Sequence, residues 1–245
     1  MHHHVLAPIE TARDIVAAEH TEIEAERAAW AAFRARVDQL APPGAGPIGT
    51  DPPVQSSVVH QAAPTLHEQL RTAYRDTVMD VAHYDRVYGE SLFEHLTAEL
   101  GPDIATGFQP HATFTSPFKK RLLAAIDAAH NDCETALDAL TTERESLKRA
   151  ASELRGILTD LTRHSGDQQM MTDDGEAEAV ETLGERVEAV IARRQEHLQT
   201  HSIPRRLDSH DIREYLYGDQ SWTYPVLHTA DYRGDGYRRS NGPGS

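Results

Sequence analysis

From Leu122 onward, apolar residues recur in alternating steps of four and three: Leu122, Ile126, Ala129, Cys133, Ala136, Leu140, Glu143, Leu147, Ala150, Leu154, Ile157 and Leu161, with Glu143 the one exception. A period near 3.5 keeps one face of an α-helix against a neighbour. A strand has no use for it, because strand side chains alternate every two residues. The spacing predicts one helix from Pro117 to Arg163, about 70 Å long at ~1.5 Å per residue. Leu123, Leu137 and Leu158 add a third apolar row beside the seam, wider than a two-stranded coiled coil requires. The helix is therefore expected to pack within its own chain, against more than one neighbour, with a homodimer as a further use of leftover apolar surface.

Two more segments carry the same period. From Ile9 the steps reach Ala12, Val16, Glu19, Ile23, Glu26, Trp30, Phe33, Val37 and Leu40, which predicts a first long helix over roughly residues 8 to 40, in an N-terminal long-helix region of residues 1–40, with Pro8 in its first turn. Val180, Leu183, Val187, Val190 or Ile191, and Leu198 predict a helix around residues 176 to 200, returning antiparallel after the loop HSGDQQMMTDD. Residues 116–201 thus read as an antiparallel long-helix hairpin.

Between these stretches, APPGAGPIGTDPPVQSSVVHQAAP (residues 41–63 and the following Pro64) is too rich in proline and glycine to continue a helix and reads as a linker. Residues 64–110 form a short-helix region. One face carries Leu66, Leu70, Ala73, Thr77 and Val81; a break is expected around His83, Tyr84 and Asp85, and a stop at Gly101 and Pro102. Ser116 and Pro117 are placed as N-cap and first helical residue of the longest element. At the C-terminal end, residues 207–230 are an aromatic segment whose short helix ends at Gly218, and residues 231–245 read as a disordered tail. The fold class is all-α: a long antiparallel helical bundle with coiled-coil character, a Pro-rich linker and a small aromatic C-terminal segment.

The seam answers the question raised by Cys133, the only cysteine, which lies beside His130, Asp127, Asp132 and Glu134. Ala129 and Ala136 flank it at inward positions, a small apolar slot suited to a buried thiol, and the acidic neighbours would raise a thiol pKa rather than activate it. Asp80 with His83 and Asp127 with His130 have the carboxylate-x-x-His spacing of metal-binding bundles. Two such pairs are about what 15 histidines and 39 acids place in 245 residues by chance. His197 with His201 lacks the Glu that zinc proteases put after the first histidine. Glu19, Glu26 and Glu143 interrupt the seams; they are expected at loosely packed, wet positions or beside arginines. No catalytic residue, cofactor or metal is assigned.

Net charge is −15, with 39 Asp plus Glu against 24 basic residues, and only Lys119, Lys120 and Lys148 are lysines. Such an acidic chain disfavours nucleic acid as main partner and suits solubility in concentrated salt. No window approaches the 18 apolar residues of a membrane span, and the apolar run in MHHHVLAPIE is far too short for a signal peptide, so none is expected. A soluble, cytoplasmic protein is expected, with His2, His3 and His4 outside the fold. Two features stand apart as interaction candidates. Lys119, Lys120 and Arg121 begin the long helix where its dipole disfavours cations, so they mark either a partner site or contacts with acids such as Glu94 or Glu99. Tyr215, Tyr217, Trp222 and Tyr224 are either exposed anchors for a partner or a cover for the end of their own bundle.

Taken together, YRDTVMDVAHYDRVYGESLFEHLTAELGPD, SPFKKRLLAAI with its long coil, and REYLYGDQSWTYPVL resemble a haloarchaeal family of helical proteins known as a domain of unknown function. The resemblance covers most of residues 8 to 230. It implies a helical fold and a haloarchaeal setting, and no activity or site residues. The function expected is that of a non-enzymatic helical scaffold or regulatory adaptor that binds another protein. The alternatives are a ligand- or metal-binding bundle with possible enzymatic activity, and a nucleic-acid-associated coiled coil.

Overall fold

The computed structural model describes residues 2–42, 64–166, 173–200 and 212–229, and among them there are helices and no strands. The longest is α6, Ser116–Gly166, and the next is α1, His2–Gln39. On α6 every seam position from Leu122 to Ile157 is buried, Glu143 included, and Leu161 is half-buried. In the third row Leu137 is buried, and Leu123 and Leu158 are half-buried. On α1, Ile9, Ala12, Val16, Ile23, Trp30, Phe33 and Val37 are all buried. The 3.5 period is thus the record of real inward faces.

Contacts divide the chain into two units, Met1–Thr21 with Thr135–Ser245, and Glu22–Glu134. In the first unit, α1 and α6 run antiparallel, with Glu10 facing Arg155. Helix α7, Asp173–Thr200, returns along α6, pairing Arg186 with Asp160, Arg193 with Glu153 and Arg194 with Glu143. Helix α8, Ile212–Tyr217, follows, and Gly218 N donates to the carbonyl of Glu214 to close it.

In the second unit α1 and α6 are again antiparallel, and Arg34 Nε donates to Asp127 at 2.5 Å. Between them in sequence come α2 (Leu66–Arg75), a 3-10 turn (Val78–Asp80), α3 (Tyr84–Val87), α4 (Leu92–Leu100) and α5 (Pro102–Thr106). Thr65 and Ser91 each make a capping box, with Glu68 and Glu94 respectively, which satisfies first-turn amides that helix geometry leaves open. Gly101, at φ 85°, ends α4 in a conformation that a side chain resists, and Pro102 starts α5. Gly107 is needed for a different reason: a Cβ there would lie 2.1 Å from the Phe118 ring.

Several boundaries differ from expectation. α1 begins at His2, so His2, His3 and His4 are part of the helix and Pro8 lies inside it. Leu6, 2 % exposed, continues the buried face one turn before Ile9, and that burial works against the hydrogen bond Pro8 cannot donate. His83, Tyr84 and Asp85 open α3 rather than break a helix; the break comes earlier, at Asp76 and Thr77. α6 is capped by Thr115, whose Oγ1 accepts from Phe118 N, so Ser116 is already helical. Asp103, a residue type that favours the cap position, sits instead in the first turn of α5, which is capped by Gly101. Val180 is 38 % exposed and does not join the inward face of α7. The Pro-rich linker, most of the loop after α6 and the C-terminal tail lie outside the described residues.

Candidate functional site

A carboxylate at an inward seam position has to find donors or draw in water, because an ionised group left bare in the interior costs several kcal/mol (~3 or more). Glu143, 1 % exposed, finds them on two other helices. Arg194 of α7 grips it with both arms of its guanidinium, Nη2 to Oε1 at 2.5 Å and Nη1 to Oε2 at 2.7 Å. His197, one turn on, donates from Nε2 to Oε2 at 3.2 Å; an ionised carboxylate has no proton to give, so the imidazole nitrogen must carry it. From α8 the Tyr217 hydroxyl donates to Oε1 at 2.8 Å. Arg194 Nη1 also donates to Ser146 Oγ at 2.9 Å.

The electrostatics follow from this geometry. Burial by itself would push the Glu143 carboxyl up, but the hydrogen bonds from His197 and Arg194, the Arg194 charge and the Tyr217 hydroxyl hold it down at about 2. Burial, then the neighbouring Glu143 charge, push the Tyr217 phenol far above its ordinary range. The cluster is an ion pair with an imidazole and a phenol locked onto it. It ties α6, α7 and α8 together, with the Glu143 carboxylate kept ionised and the Tyr217 phenol kept protonated near neutrality.

The second unit buries Glu26 in different company. Its Oε1 accepts from His83 Nε2 at 2.9 Å and from the Tyr88 hydroxyl at 2.7 Å. The Tyr88 ring also packs edge-on against His95, which in turn meets Tyr84 and lies with its Nδ1 2.9 Å from the Tyr74 hydroxyl. Tyr74 continues into Trp30, Phe33 and Phe108 through near-perpendicular ring contacts. The third seam acid, Glu19, accepts from the Tyr215 hydroxyl at 2.5 Å at the surface of the first unit. Each of the three thus has an aromatic hydroxyl partner.

The other sequence candidates are placed as follows. Cys133 is fully buried in its alanine slot. Asp127 is turned to Arg34, and Asp80 is exposed while its spacing partner His83 faces Glu26, so neither carboxylate-x-x-His pair closes on a common point. His201 lies outside the described residues, and among those described no group of three or more His, Cys, Asp or Glu is placed to hold a metal. Lys119 serves the end of α1: its Nζ donates to the carbonyls of Asp38 at 2.6 Å and Leu40 at 2.9 Å, and the expected partners, Glu94 or Glu99, are not what it meets. The negative end of the α1 dipole explains a cation where the α6 dipole disfavours one. Lys120 and Arg121 are exposed.

Within the aromatic segment, Tyr217 is fully buried on Glu143 and belongs to the interior of its own unit. Trp222 is half-buried with its ring 5.6 Å from that of Tyr217, Tyr215 is at the surface on Glu19, and Tyr224 is exposed under the Arg213 guanidinium. What sequence reasoning missed is Arg194. The signal was present: the inward steps Leu183, Val187 and Val190 lead by four to Arg194, a cation on the same face as the acid that interrupts the neighbouring seam.

The sequence profile of a domain of unknown function, DUF7260, matches residues 7–239. No curated protein and no solved structure matches the chain.

Proposed function

The chain belongs to the DUF7260 family, and from that premise we propose that it is a non-enzymatic helical scaffold or regulatory adaptor that works by binding another protein in a salt-rich archaeal cytoplasm. The observation that carries this reading is how the Glu143 carboxylate is spent. General acid or base work calls for a group poised near the working pH, whereas Glu143 is held at about 2 by three side chains that its charge fastens in place. It is an anchor between helices, the use to be expected of a buried charge in an architectural protein. A net charge of −15 with three lysines supports the saline setting and a protein partner over nucleic acid.

The test is a reciprocal pull-down from source cells in molar potassium chloride, followed by calorimetry with the purified partner and elemental analysis of the chain. A saturable one-partner complex with no stoichiometric metal is the expected result. Stoichiometric metal in the purified chain, or retention of nucleic acid that high salt releases, would overturn the reading.

A further inference from the structure

We propose that a hollow between α6 and α7 binds a single carboxylate group. It offers about 50 Å³ and is lined by Ser146, Arg149, Glu153, Arg193, Arg194 and His197, together with the apolar Ala150 and Val190. About 10 to 15 Å³ of such space holds one water, so the hollow takes roughly three or four water-sized atoms, enough for one planar group of three heavy atoms.

The charges around it do not cancel. Arg194 is spent on Glu143 and Arg193 on Glu153, which leaves the guanidinium of Arg149, exposed at the rim and in no ion pair or hydrogen bond among the described residues. A chain that is −15 overall thus carries one uncompensated positive charge at this opening. A second donor lines the same hollow. Ser146 Oγ accepts from Arg194, and a hydroxyl that accepts keeps its own proton for another acceptor. A forked guanidinium and a hydroxyl match the two oxygens of a carboxylate, and the fixed ion pairs beneath keep Arg194 from turning outward. The carboxylate comes either from a small organic acid or from an acidic side chain of a bound protein. The proposal stands whether or not the adaptor reading does.

The full chain is titrated at constant ionic strength with sodium acetate, with an acetylated tetraglutamate peptide and with inorganic phosphate, following the Arg side-chain NMR signals. Saturable shifts with acetate alone identify a small acid as ligand, and saturation at much lower concentration with the peptide identifies a protein source. In either case Arg149→Gln is expected to weaken binding at least tenfold and Arg149→Lys to restore part of it, with circular dichroism unchanged because Arg149 is exposed, and Ser146→Ala, which also removes an acceptor from Arg194, to weaken binding a few-fold. No saturation with acetate or peptide, undiminished binding in Arg149→Gln, or a preference for phosphate would overturn the proposal.

Discussion

The interiors of the two units are built from different materials. In the first, the buried hydrophobic side chains are aliphatic apart from Tyr217, and cohesion across the helices is sharpened by one buried ion pair, Glu143 with Arg194. In the second, Trp30, Phe33, Tyr74, Tyr84, Phe108, Phe114 and Phe118 are buried, and the buried Glu26 is held by an imidazole and a phenol. The second interior even tolerates a donor, Trp30 Nε1, with no acceptor among the described residues. The difference follows from helix length. Two or three long helices bury continuous rows of aliphatic side chains and need little else, whereas the short helices α2 to α5 meet at irregular angles and leave gaps that only large rings fill.

If the first interior depends on its ion pair, removing one partner should cost far more there than in the second. Arg194→Met leaves the Glu143 charge buried without its guanidinium, and a loss of about 3 to 5 kcal/mol is expected. Glu26→Gln keeps the shape and an acceptor oxygen for His83 and Tyr88, and about 1 kcal/mol is expected. The double variant Glu143→Leu with Arg194→Met should recover most of the first loss, since it removes both charges. Urea unfolding of the four chains checks this; equal costs for Arg194→Met and Glu26→Gln would erase the distinction.

Acid attacks the same pair without mutation. The folded-state pKa of Glu143, about 2, lies below its ordinary value of 4.5, so its stabilising contribution is fully present above pH 4.5 and is lost as pH falls from there towards 2. The difference corresponds to on the order of 3 kcal/mol. Trp222 reports on the first unit and Trp30 on the second, so their emission separates the two. Wild type should show Trp222 responding in this window, and Glu143→Gln should abolish that response. A Trp222 signal equally acid-sensitive in Glu143→Gln would mean that other groups carry the effect.

The same contrast decides what the sequence made legible. The long helices, which run through both units, could be read because they write their inward faces as a period, and every seam residue from Leu122 to Ile157 is buried. The short helices of the second unit could be read only in their punctuation, such as the stop at Gly101 and the serine, threonine and glutamate of their caps. The ring cluster joins Trp30 and Phe33 of the α1 seam to Tyr74 and Phe108, and no periodicity betrays that pairing. Between these extremes lie the buried acids. An arginine partner for Glu143 was expected in kind, and its identity lay on the α7 face. The His83 and Tyr88 partners of Glu26 follow from a fold of short helices that local patterns do not specify. Lys119 was flagged as a broken rule, but its acceptors are main-chain carbonyls, which any residue supplies and no sequence advertises.

A packing test sharpens the aromatic side of the comparison. In Gly107→Ala the new methyl would overlap the Phe118 ring, which has to shift within a crowd of rings. A loss of about 2 kcal/mol is expected, typical of overpacking. A Phe118→Leu change in the same chain should relieve part of it. Calorimetric melting of wild type, the two single variants Gly107→Ala and Phe118→Leu, and the double variant measures the coupling, and a Gly107→Ala chain as stable as wild type would show that the second interior has slack.

The smallest expected effect concerns how the second unit uses charge. Its Lys119 acts on neutral acceptors, the carbonyls at the end of α1, and its side chain is only 18 % exposed. Lys119→Met keeps most of the apolar stem and removes the ammonium. The two carbonyls then return to water, which replaces much of what is lost, because helix ends at the surface can be solvated. The net cost should therefore be about 1 kcal/mol, below the ~1.5 to 3 kcal/mol of a charged hydrogen bond whose partner is left dry. Asp38 Oδ1, at 4.0 Å, adds little, since exposed pairs contribute about 0 to 1 kcal/mol. Lys120→Met, one residue on and exposed, is the control and should be neutral. Because the acceptors are uncharged, the Lys119→Met cost should persist in molar potassium chloride, where an exposed ion pair would be screened away. If high salt removed the cost, Lys119 would be acting on Asp38 rather than on the helix end, and the second unit would rely on ion pairs as the first does.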